Sequence, residues 1–447
     1  MTMEQTRTFA TSEEVFRWMD QTCRKSVKYG LERMEWVLGR LGHPERRCKF
    51  IHIAGTNGKG STAAMISSVL IEAGYPTGMF ISPYVTEWNE RIQFDGEPIS
   101  EASFVHWANH LRPFAEEMNQ LEIGAPTWFE FMTLLAICYF AYEASPWFIV
   151  WETGLGGRLD STNVVYPLVS VITHVGFDHK DMLGDTLAEI AKEKAGIIKP
   201  GVPVVCGSEE EEALRVIAEE ARQKKCNLYV LHKDYQIELV HSDSERQTFH
   251  FANAYRRLLN LEIPLAGEHQ LRNAGTALMT LDILRQNYAT VMEDEQIGQG
   301  LKRVNWPGRM EKVSDQPLIV LDGGHNPDGI RALVSSVRQL YTYERLILMV
   351  AVMKDKDVKE MLKPLLSVCD MVITTQVQDQ PRSFSADELA DEIKGMDPGV
   401  PVLAAPTAEE GLSLMKKQAT DKDLLLITGS LYLISEIRPL LIQKSDE

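Results

Sequence analysis

Short apolar runs rich in β-branched residues alternate with segments of helical periodicity along the first half of the chain. The runs that indicate strands are residues 50–54, 147–152, 168–173 and 202–206. The segments with helical periodicity are residues 61–73, 129–142 and 187–198. Strands that are apolar throughout are typical of parallel sheets covered by helices on both faces. The pattern therefore predicts a doubly wound α/β domain built on a parallel sheet.

The pattern changes between residues 235 and 263, where apolar and polar positions alternate. Phe249 and Phe251, and later Leu259 and Leu261, occupy every second position. Alternation with a period of two is typical of antiparallel strands that bury one face. We therefore predict that this stretch adds antiparallel strands at an edge of the sheet.

A second series of strands and helices begins near residue 318 and runs to the end of the chain. Its predicted strands are residues 318–322, 346–352, 371–375 and 424–428. The helix-like segments that follow them are residues 329–341, 359–366, 387–393 and 432–441. Repeated strand–helix units of this kind predict a smaller, Rossmann-like α/β domain.

A polar, acidic stretch at residues 293–300, followed by Trp306-Pro307-Gly308, is the best candidate for a domain boundary. Polar residues with Pro and Gly are typical of connections between packed units. We predict a larger domain over residues 1–297 and a smaller one over residues 298–447.

The balance of charges argues against some classes of partner. The chain has 447 residues, with 46 Lys and Arg against 63 Asp and Glu, and its formal net charge is −17. Such an acidic protein is a poor partner for nucleic acid or for an anionic membrane. An anionic substrate must therefore meet a local cluster of cations or metal ions.

The sequence pattern favours a cytoplasmic location. Residues 1–16 are polar and lack the apolar segment of a signal peptide. The most apolar stretch, residues 131–142, ends at Glu143 and is shorter than the roughly 20 residues that a spanning helix needs. The six cysteines are scattered without a CxxC pair, as in reduced cytosolic proteins. We expect a monomer, because no long heptad or exposed apolar strip is visible.

A glycine-rich segment directly follows a predicted strand and directly precedes a predicted helix: Gly55-Thr56-Asn57-Gly58-Lys59-Gly60-Ser61. Glycines allow a tight turn whose N–H groups point at phosphate oxygens, and the helix N-terminus adds a positive dipole. Lys59 supplies a positive charge, and the Ser61 hydroxyl can face Mg²⁺. Gly60 separates these two residues, which departs from the usual P-loop spacing. A turn without a ligand is the alternative, but the strand–loop–helix context favours an ATP-type phosphate site.

Glu152 ends the predicted strand at residues 147–152, on the side where open α/β sheets bind their ligands. Gly154, Gly156 and Gly157 follow it and permit a close approach of the backbone. A carboxylate at this place is suited to hold Mg²⁺ beside phosphates. A salt-bridged glutamate at the end of a strand is the alternative.

The variant phosphate loop resembles the loop shared by ATP-dependent Mur ligases and folylpolyglutamate synthases. Further segments that resemble the folate branch follow in the expected order and span nearly the whole chain. They are Ser82-Pro83, Asn89-Glu90-Arg91-Ile92, Glu152-Thr153-Gly154-Leu155-Gly156-Gly157-Arg158-Leu159-Asp160, residues 174–179, Glu193-Lys194-Ala195-Gly196-Ile197-Ile198-Lys199, His269-Gln270 with Asn273, Trp306-Pro307-Gly308-Arg309 and Asp322-Gly323-Gly324-His325-Asn326-Pro327. The chain thus resembles folylpolyglutamate synthases, in particular the bacterial type that is also a dihydrofolate synthase.

The resemblance implies two magnesium ions, held between Ser82, Glu152 and His179 beside Ser61 of the loop. Imidazole is an unusual ligand for magnesium, which prefers oxygen, and a structural or solvated histidine is the alternative for His179. In relatives the lysine that matches Lys194 is carbamylated, which turns a cation into an oxygen ligand for metal. A solvated lysine is the alternative, and the intact sequence around Lys194 motivates the hypothesis of a carbamate.

The resemblance also assigns residues to the organic substrates. It places Asn273, Arg309 and Asp322 near the nucleotide. The residues that it implies for the pterin are Leu31, Glu32, Thr127, Trp128, Phe129, Glu130, Leu159, Asp160 and Ser161. The groups expected to take part in catalysis are Lys59, His179, Lys194 and His325. Trp128 and Phe129 are suited to stack on a flat heterocycle, with core aromatics of the helix that they open as the alternative.

The resemblance predicts a ligase that forms an amide through an acyl phosphate, at the expense of ATP. Residues 1–297 would then be the ATP-binding central domain with folate-binding elements, and residues 298–447 the glutamate ligase domain. The substrates would be L-glutamate and a folate, and the same chemistry on dihydropteroate would give dihydrofolate. A Mur-type peptidoglycan ligase and a non-catalytic ATP-binding module are the alternatives, but Asn89-Glu90-Arg91 and residues 154–158 favour the folate branch.

Overall fold

The computed structural model describes residues 8–24 and 30–442. The helices are α1 (Ser12–Thr22), α2 (Glu32–Arg40), α3 (Lys59–Glu72), α4 (Glu101–Met118), α5 (Trp128–Tyr139), α6 (Lys180–Leu183), α7 (Leu187–Ala195), α8 (Glu211–Gln223), α9 (Glu268–Tyr288), α10 (Asp294–Lys302), α11 (Pro327–Leu340), α12 (Val358–Leu366), α13 (Ala386–Lys394), α14 (Ala408–Gln418) and α15 (Leu431–Ile442). The strands are β1 (Phe50–Ala54), β2 (Thr77–Phe80), β3 (Ile92–Phe94), β4 (Glu97–Pro98), β5 (Phe148–Glu152), β6 (Val169–Ile172), β7 (Val204–Cys206), β8 (Leu228–Val230), β9 (Tyr235–Ser242), β10 (Gln247–Asn253), β11 (Arg257–Ile263), β12 (Glu311–Asp315), β13 (Leu318–Leu321), β14 (Leu346–Val350), β15 (Met371–Thr375), β16 (Val402–Ala405) and β17 (Leu424–Thr428).

Eight strands form the sheet of the larger domain, in the order β4-β3-β2-β5-β1-β6-β7-β8. The strands from β2 to β8 in this order are parallel, whereas β3 and β4 run antiparallel at one edge. The central strands β1, β5 and β6 are buried throughout. Helices α3 and α9 cover one face of the sheet, and α4 and α5 cover the other. The predicted doubly wound parallel sheet is confirmed.

The antiparallel addition at residues 235–263 is present, but its predicted position at an edge of the large sheet is wrong. Strands β9, β10 and β11 form a separate sheet in the order β11-β10-β9. Phe249 and Phe251 of β10 are buried in the core that α9 shares with the large sheet. Because α9 covers the apolar face of this small sheet, that face is buried without any pairing to β8, while the other face remains exposed.

Six strands form the sheet of the smaller domain, in the order β12-β13-β17-β14-β15-β16. All neighbours are parallel except β12 and β13. The four predicted strands correspond to β13, β14, β15 and β17. The pattern missed β12 and β16, which are edge strands and only partly buried; β12 carries no continuous apolar run, and the apolar run of β16 is only four residues long.

Helix α10 crosses the predicted boundary between residues 297 and 298. Its Ile297 and Leu301 are 2% and 0% exposed and belong to the same apolar core as α3 and α9. The chain enters the second sheet only at β12. The packing of α10 therefore lies with the larger domain, while the division into residues 1–297 and 298–447 stays a prediction.

The apolar helix α5 is used inside the larger domain. Its residues from Glu130 to Tyr139 are all buried, and they pack against α2 and α4. Among residues 8–24 and 30–442, no helix is long and apolar enough to cross a membrane.

Candidate active site

A cleft of ≈ 420 Å³ lies between the two domains, at the carboxyl ends of β1, β5 and β6. The loops that follow parallel strands meet at this edge of a sheet. The larger domain lines the cleft with residues 55–61, Glu152 and Lys194, and the smaller domain lines it with Arg309 and residues 322–325. The structure thus brings together predicted site residues that lie far apart in the sequence.

The glycine-rich loop joins β1 to α3 and is braced by side chains. The Thr173 hydroxyl donates a hydrogen bond to the Asn57 carbonyl at 2.7 Å, and the Thr56 hydroxyl donates one to the Gly176 carbonyl at 2.9 Å. Gly58 has a φ of 86°, and a Cβ there would lie 2.2 Å from the side-chain oxygen of Asn273, so the turn requires glycine. The N-terminus of α3 borders the cleft, and its first N–H groups are available to an anion.

Lys59 and Glu152 carry opposite charges on the floor of the cleft. Lys59 Nζ lies 3.9 Å from Glu152 Oε1 and 3.4 Å from the carbonyl oxygen of Thr56. The second carboxylate oxygen of Glu152 accepts a hydrogen bond from the Ser82 N–H at 3.0 Å. Burial raises the pKa of Glu152, and the charge of Lys59 opposes that rise. A cation bound beside Glu152 would stabilise the ionised carboxylate further.

Lys194 lies on α7 and lines the cleft, with only 3% of its surface exposed. Within the described part of the chain, its amine forms no hydrogen bond or ion pair. Burial and then the charge of Lys59 lower the pKa of Lys194 to about 7, against the opposing effect of Asp178 and Asp160. An unpaired amine that loses its proton near neutral pH is a nucleophile. The position does not fit an ordinary solvated lysine.

Asp178 joins the two domains and was not predicted from the sequence. Its carboxylate accepts hydrogen bonds from Lys356 Nζ at 2.5 Å and from Asn326 Nδ2 at 3.2 Å. The side-chain amides of Asn326 and Asn57 also exchange two hydrogen bonds, of 2.9 and 3.1 Å. Burial acts to raise the pKa of Asp178, but the surrounding His and Lys side chains hold it well below its usual range. These contacts tie the loop after β6 to the smaller domain.

The sequence contains a signal for Asp178 and Lys356, but an ambiguous one. Asp178 directly precedes the predicted site residue His179, and Lys356 follows β14 on the side where open α/β sheets bind ligands. Charged residues in loops are usually solvated, so neither position stands out by itself.

His179 lies at the start of the short helix α6 and has a positive φ of 48°. Its Nε2 atom lies 3.2 Å from Lys356 Nζ, so the imidazole accepts a hydrogen bond from the ammonium group. Burial lowers the pKa of His179. In residues 8–24 and 30–442, no three His, Cys, Asp or Glu side chains form a cluster that could hold a metal ion. A magnesium site here would therefore need phosphate oxygens and water, and His179 would join it only after Lys356 had moved.

Arg309 and Asp322 reach the cleft from the smaller domain. The carboxylate of Asp322 accepts hydrogen bonds from the N–H groups of Met310 at 3.0 Å and Gly324 at 2.8 Å, which fixes the shape of both loops. Burial lowers the pKa of Arg309, and the negative charges of Asp322 and Glu152 oppose that fall. Arg309 thus adds a positive charge to the cleft that the glycine-rich loop also lines. Both carboxylate oxygens of Asp322, in contrast, accept hydrogen bonds from backbone N–H groups.

Asn273 and His325 also lie in the cleft. Asn273 Nδ2 donates a hydrogen bond to Gln270 Oε1 at 3.0 Å on α9. His325 Nδ1 lies 2.9 Å from the carbonyl oxygen of Gly323, and its Nε2 lies 3.7 Å from a carboxylate oxygen of Asp178. Burial lowers the pKa of His325 to about 4, so its imidazole is neutral at neutral pH. In this arrangement His325 is not a ready source of a proton.

Four residues predicted for the pterin form hydrogen bonds with other groups of the protein: Thr127, Glu130, Asp160 and Ser161. Glu130 is 4% exposed, pairs with Arg33 at 2.7 Å and accepts a hydrogen bond from the Thr127 N–H at 2.7 Å. The carboxylate of Asp160 accepts hydrogen bonds from backbone N–H groups of its own loop, and the Ser161 hydroxyl is hydrogen-bonded to a hydroxyl of α5. These side chains shape the loops beside the cleft and offer few free donors to a ligand.

The other residues predicted for the pterin keep part of their surface accessible: Leu31, Glu32, Trp128, Phe129 and Leu159. The Phe129 ring packs so closely on Gly154 that a Cβ at residue 154 would lie 2.5 Å from it. Trp128 and Phe129 contact the core of the larger domain without being fully buried. The two rings thus pack on the core with one part of their surface and keep another part accessible.

Replacing Gly157 by alanine should displace the end of α7, which carries Lys194. A Cβ at residue 157 would lie 2.8 Å from the carbonyl oxygen of Glu193 and 2.9 Å from that of Lys194. Backbone atoms cannot turn aside, so we expect the free energy of unfolding to fall by about 1–3 kcal/mol. Displacing a site residue should also lower catalytic activity at least about tenfold. Urea unfolding and steady-state assays measure both effects.

The control for this substitution is Gly298→Ala in α10, where a Cβ would meet no atom within 4 Å. Alanine is the better helix former, so this variant should be as stable as the parent or slightly more stable. If Gly157→Ala matched Gly298→Ala in both assays, the close contact between residue 157 and α7 would contribute neither to stability nor to catalytic activity.

Family profiles match the chain in the order of its two domains. The profile described as the Mur ligase middle domain matches residues 53–281. The profile described as Mur ligase, glutamate ligase domain, matches residues 308–431. Between them the two matches include the phosphate loop, Glu152, Lys194 and Arg309.

Proteins with names or solved structures of their own resemble the chain over nearly its full length. The chain is 37% identical over 436 residues to a dihydrofolate synthase/folylpolyglutamate synthase of Bacillus subtilis. The aligned region covers 96% of this chain and 99% of that protein. The crystal structure of a folylpolyglutamate synthase from Thermotoga maritima superimposes with a TM-score of 0.83, 34% identity and 97% coverage of each chain. The structure of FolC from E. coli, in complex with DHPP and ADP, gives a TM-score of 0.88, 26% identity and coverage of 98% and 100%.

Proposed function

This chain belongs to the Mur ligase family, and within it to the folylpolyglutamate synthases and dihydrofolate synthases, and we propose that it uses ATP to join L-glutamate to the carboxylate of a folate. It is an acid–amino-acid ligase. The observation that carries the proposal is a cleft in which Lys59 of the phosphate loop, Glu152 and the buried Lys194 meet between two domains. The ADP in the complex of E. coli FolC supports ATP as the nucleotide.

The proposed reaction overcomes the poor reactivity of a carboxylate. One oxygen of the γ-carboxylate of a folyl glutamate attacks the terminal phosphorus of ATP, ADP leaves, and an acyl phosphate forms. The amine of L-glutamate then attacks the carbonyl carbon, phosphate leaves, and the nitrogen gives up a proton. Lys59, Arg309 and the N-terminus of α3 place positive charge around the phosphates, which lowers their repulsion of the incoming carboxylate.

We also propose magnesium as the cofactor. Ser61, Ser82 and Glu152 would hold it together with phosphate oxygens, and His179 would join them once it is released from Lys356. When bound, the metal supplies additional screening of the phosphate charge. The buried carboxylate of Glu152 supports this fit. Burial raises the pKa of Glu152, and a bound cation would stabilise the ionised form of the carboxylate.

We further propose that Lys194 is carbamylated. Its amine attacks the carbon of CO2 and loses a proton, so that an anionic carbamate replaces a cation and provides oxygen ligands for magnesium. The burial of the amine and its lack of a partner in the described part of the chain support this proposal. An ammonium group in the same place would repel both the metal and Lys59.

The proposed function is tested by identifying the nucleotide products of the purified full-length chain. ADP and phosphate should form in equal amounts, and only when L-glutamate and a pteroate-type acceptor are both present. With an acceptor labelled with ¹⁸O in its γ-carboxylate, one labelled oxygen should appear in the phosphate. Formation of AMP and pyrophosphate, or stimulation by a UDP-linked peptidoglycan precursor instead of a folate, would contradict the proposal.

Dihydropteroate is proposed as a second acceptor. Its carboxylate can react in the same way, and the product is dihydrofolate; the name of the B. subtilis relative supports both activities. Turnover with dihydropteroate and with tetrahydrofolate, measured side by side, should exceed background for both. Turnover with only one of them would show an enzyme with a single activity.

A monomeric, cytoplasmic enzyme is also proposed. The sequence shows no long heptad and no long exposed apolar strip that would favour a stable oligomer, and ATP and L-glutamate are substrates that the cytoplasm supplies. Sedimentation should show one species with the mass of a single chain. A stable dimer at micromolar concentration would contradict the monomer.

A further inference from the structure

Beside the cleft lies a guanidinium group that has no counter-ion among the described residues. The guanidinium carbon of Arg91 is 5.4 Å from the centre of the Tyr84 ring and 5.4 Å from the centre of the Trp128 ring. Its Nε atom is shielded from solvent and has no hydrogen-bond partner. Within residues 8–24 and 30–442, the guanidinium forms no hydrogen bond or ion pair with any other group.

Arg91 lies between the phosphate side of the cleft and the aromatic residues predicted for the pterin. Its carbonyl oxygen accepts a hydrogen bond from the Ile81 N–H at 3.0 Å, at the residue before Ser82. Ser82 in turn donates to the carboxylate of Glu152, on the floor of the cleft. On its other side Arg91 faces the ring of Trp128, which opens α5. An acceptor whose pterin lay against Trp128 and whose carboxylate reached the glycine-rich loop would pass close to this guanidinium.

The smaller domain also approaches Arg91. Burial lowers the pKa of Arg91, whereas Tyr84, Tyr432 and Glu152 raise it. Tyr432 lies on α15, and the preceding residue, Leu431, lines the cleft. Because an arginine keeps its proton in proteins, a full positive charge persists here on a half-buried side chain whose Nε is shielded from solvent.

The chemistry of this group indicates a carboxylate ligand. A partly desolvated charge without a partner is unfavourable, and a bound anion removes that penalty. The planar guanidinium matches a carboxylate through two parallel hydrogen bonds. The contacts with two aromatic rings hold it in place and leave its N–H edges for a ligand.

We infer that Arg91 binds the α-carboxylate of the terminal glutamate of a folate while the γ-carboxylate of the same residue reacts with ATP. The inference rests on the proposed function. A folate carries this second carboxylate, whereas the reacting carboxylate of dihydropteroate is its only one. Arg91 is therefore the residue that distinguishes the two acceptors and orients the longer one.

The test compares the two acceptors in Arg91→Met, which keeps an apolar stem between the rings and removes the charge. For tetrahydrofolate, kcat/KM should fall at least about 30-fold, mainly through a higher KM, whereas for dihydropteroate it should change less than about threefold. Arg91→Lys should recover only part of the loss, since an ammonium group cannot form the paired hydrogen bonds. The matched control is Arg47→Met, whose guanidinium carbon lies 5.2 Å from the centre of the Tyr142 ring on the surface.

A second measurement removes the carboxylate from the substrate instead of the charge from the enzyme. Tetrahydropteroyl-4-aminobutyrate keeps the reacting carboxylate and lacks only the α-carboxylate. The parent enzyme should use it about as poorly as Arg91→Met uses tetrahydrofolate, and Arg91→Met should lose little further activity with it. The two losses should thus be non-additive, as expected for groups in direct contact.

The outcomes separate this inference from the proposed function. Equal losses on both acceptors in Arg91→Met, or fully additive losses with the shortened substrate, would overturn the role of Arg91 and leave the ligase activity standing. A parent enzyme that forms no ADP with either acceptor would overturn the proposed function itself.

Discussion

Replacing Lys194 by alanine is expected to lower kcat about 10²–10³-fold while the protein stays folded. The substitution removes a group that lies on the cleft wall, is 3% exposed and has no partner among the described residues. If the amine is carbamylated, alanine removes an oxygen ligand of magnesium together with its negative charge. Alanine is also a good helix former, so α7 should remain intact. Steady-state kinetics and thermal unfolding measure the two effects separately.

Small carboxylates should restore part of this activity, because formate or acetate can place an oxygen where the carbamate has been removed. The matched control is Lys192→Ala, an exposed lysine of the same helix, which should keep full turnover. In the parent enzyme, ¹³CO₂ should give a carbamate signal in the carbon NMR spectrum, and Lys194→Ala should lack that signal. Full turnover in Lys194→Ala, or an active parent enzyme without the signal, would refute the carbamate.

The amount of carbamate on Lys194 should fall as the pH falls. Only the unprotonated amine reacts with CO2, and burial together with Lys59 lowers the pKa of Lys194 to about 7. As the pH falls from about 8 to about 6, the amine takes up a proton, so carbamate and activity should fall together. Added bicarbonate should return part of the activity at the lower pH.

Replacing Lys59 by methionine is expected to lower kcat/KM for ATP about 10²–10³-fold. The ammonium group lies 3.9 Å from Glu152 and 3.4 Å from the Thr56 carbonyl oxygen, at the N-terminus of α3 where phosphates would bind. Lys59→Arg should restore only part of the loss, because the guanidinium is larger and directs its donors differently. Lys233→Met, at an exposed lysine, is the control and should match the parent. Unchanged ATP kinetics in Lys59→Met would show that phosphates bind elsewhere.

The effects of Lys59 and Lys194 should be coupled. The charge of Lys59 lowers the pKa of Lys194 and also opposes the rise in the pKa of Glu152. Removing Lys59 therefore favours protonation of both groups and should weaken carbamylation as well as phosphate binding. The double variant should lose less activity than the product of the two single losses, which a double-mutant cycle measures.

Local sequence patterns predict the type of an element better than its place in the fold. The phosphate loop was predicted at residues 55–61 because strand, glycines and helix follow one another directly, and the structure has β1, the turn at Gly58 and α3 in those places. The stretch at residues 235–263 was predicted as antiparallel strands from the same kind of local period. Its place in the fold was missed, because the alternation shows that one face is buried but not that α9 covers it.

The predicted pterin residues illustrate a second limit. The resemblance implies Glu130 for the pterin site, which stays a prediction, and the structure adds that its carboxylate pairs with Arg33, 97 positions earlier in the chain. Asp160 and Ser161 likewise make their hydrogen bonds inside the protein. A motif shows which residues belong to a site, whereas the partners of each polar group depend on which helices pack together.

The sequence by itself determined the parallel strands, the phosphate loop and the carboxylate of Glu152 at the end of β5, since each depends on residues that are neighbours along the chain. Only the tertiary structure decided that Asp178 meets Lys356, that Asn57 pairs with Asn326 and that the guanidinium of Arg91 has no counter-ion within residues 8–24 and 30–442. The physical reason is that such contacts depend on how segments remote in sequence dock against one another. No local period of apolar residues carries that information.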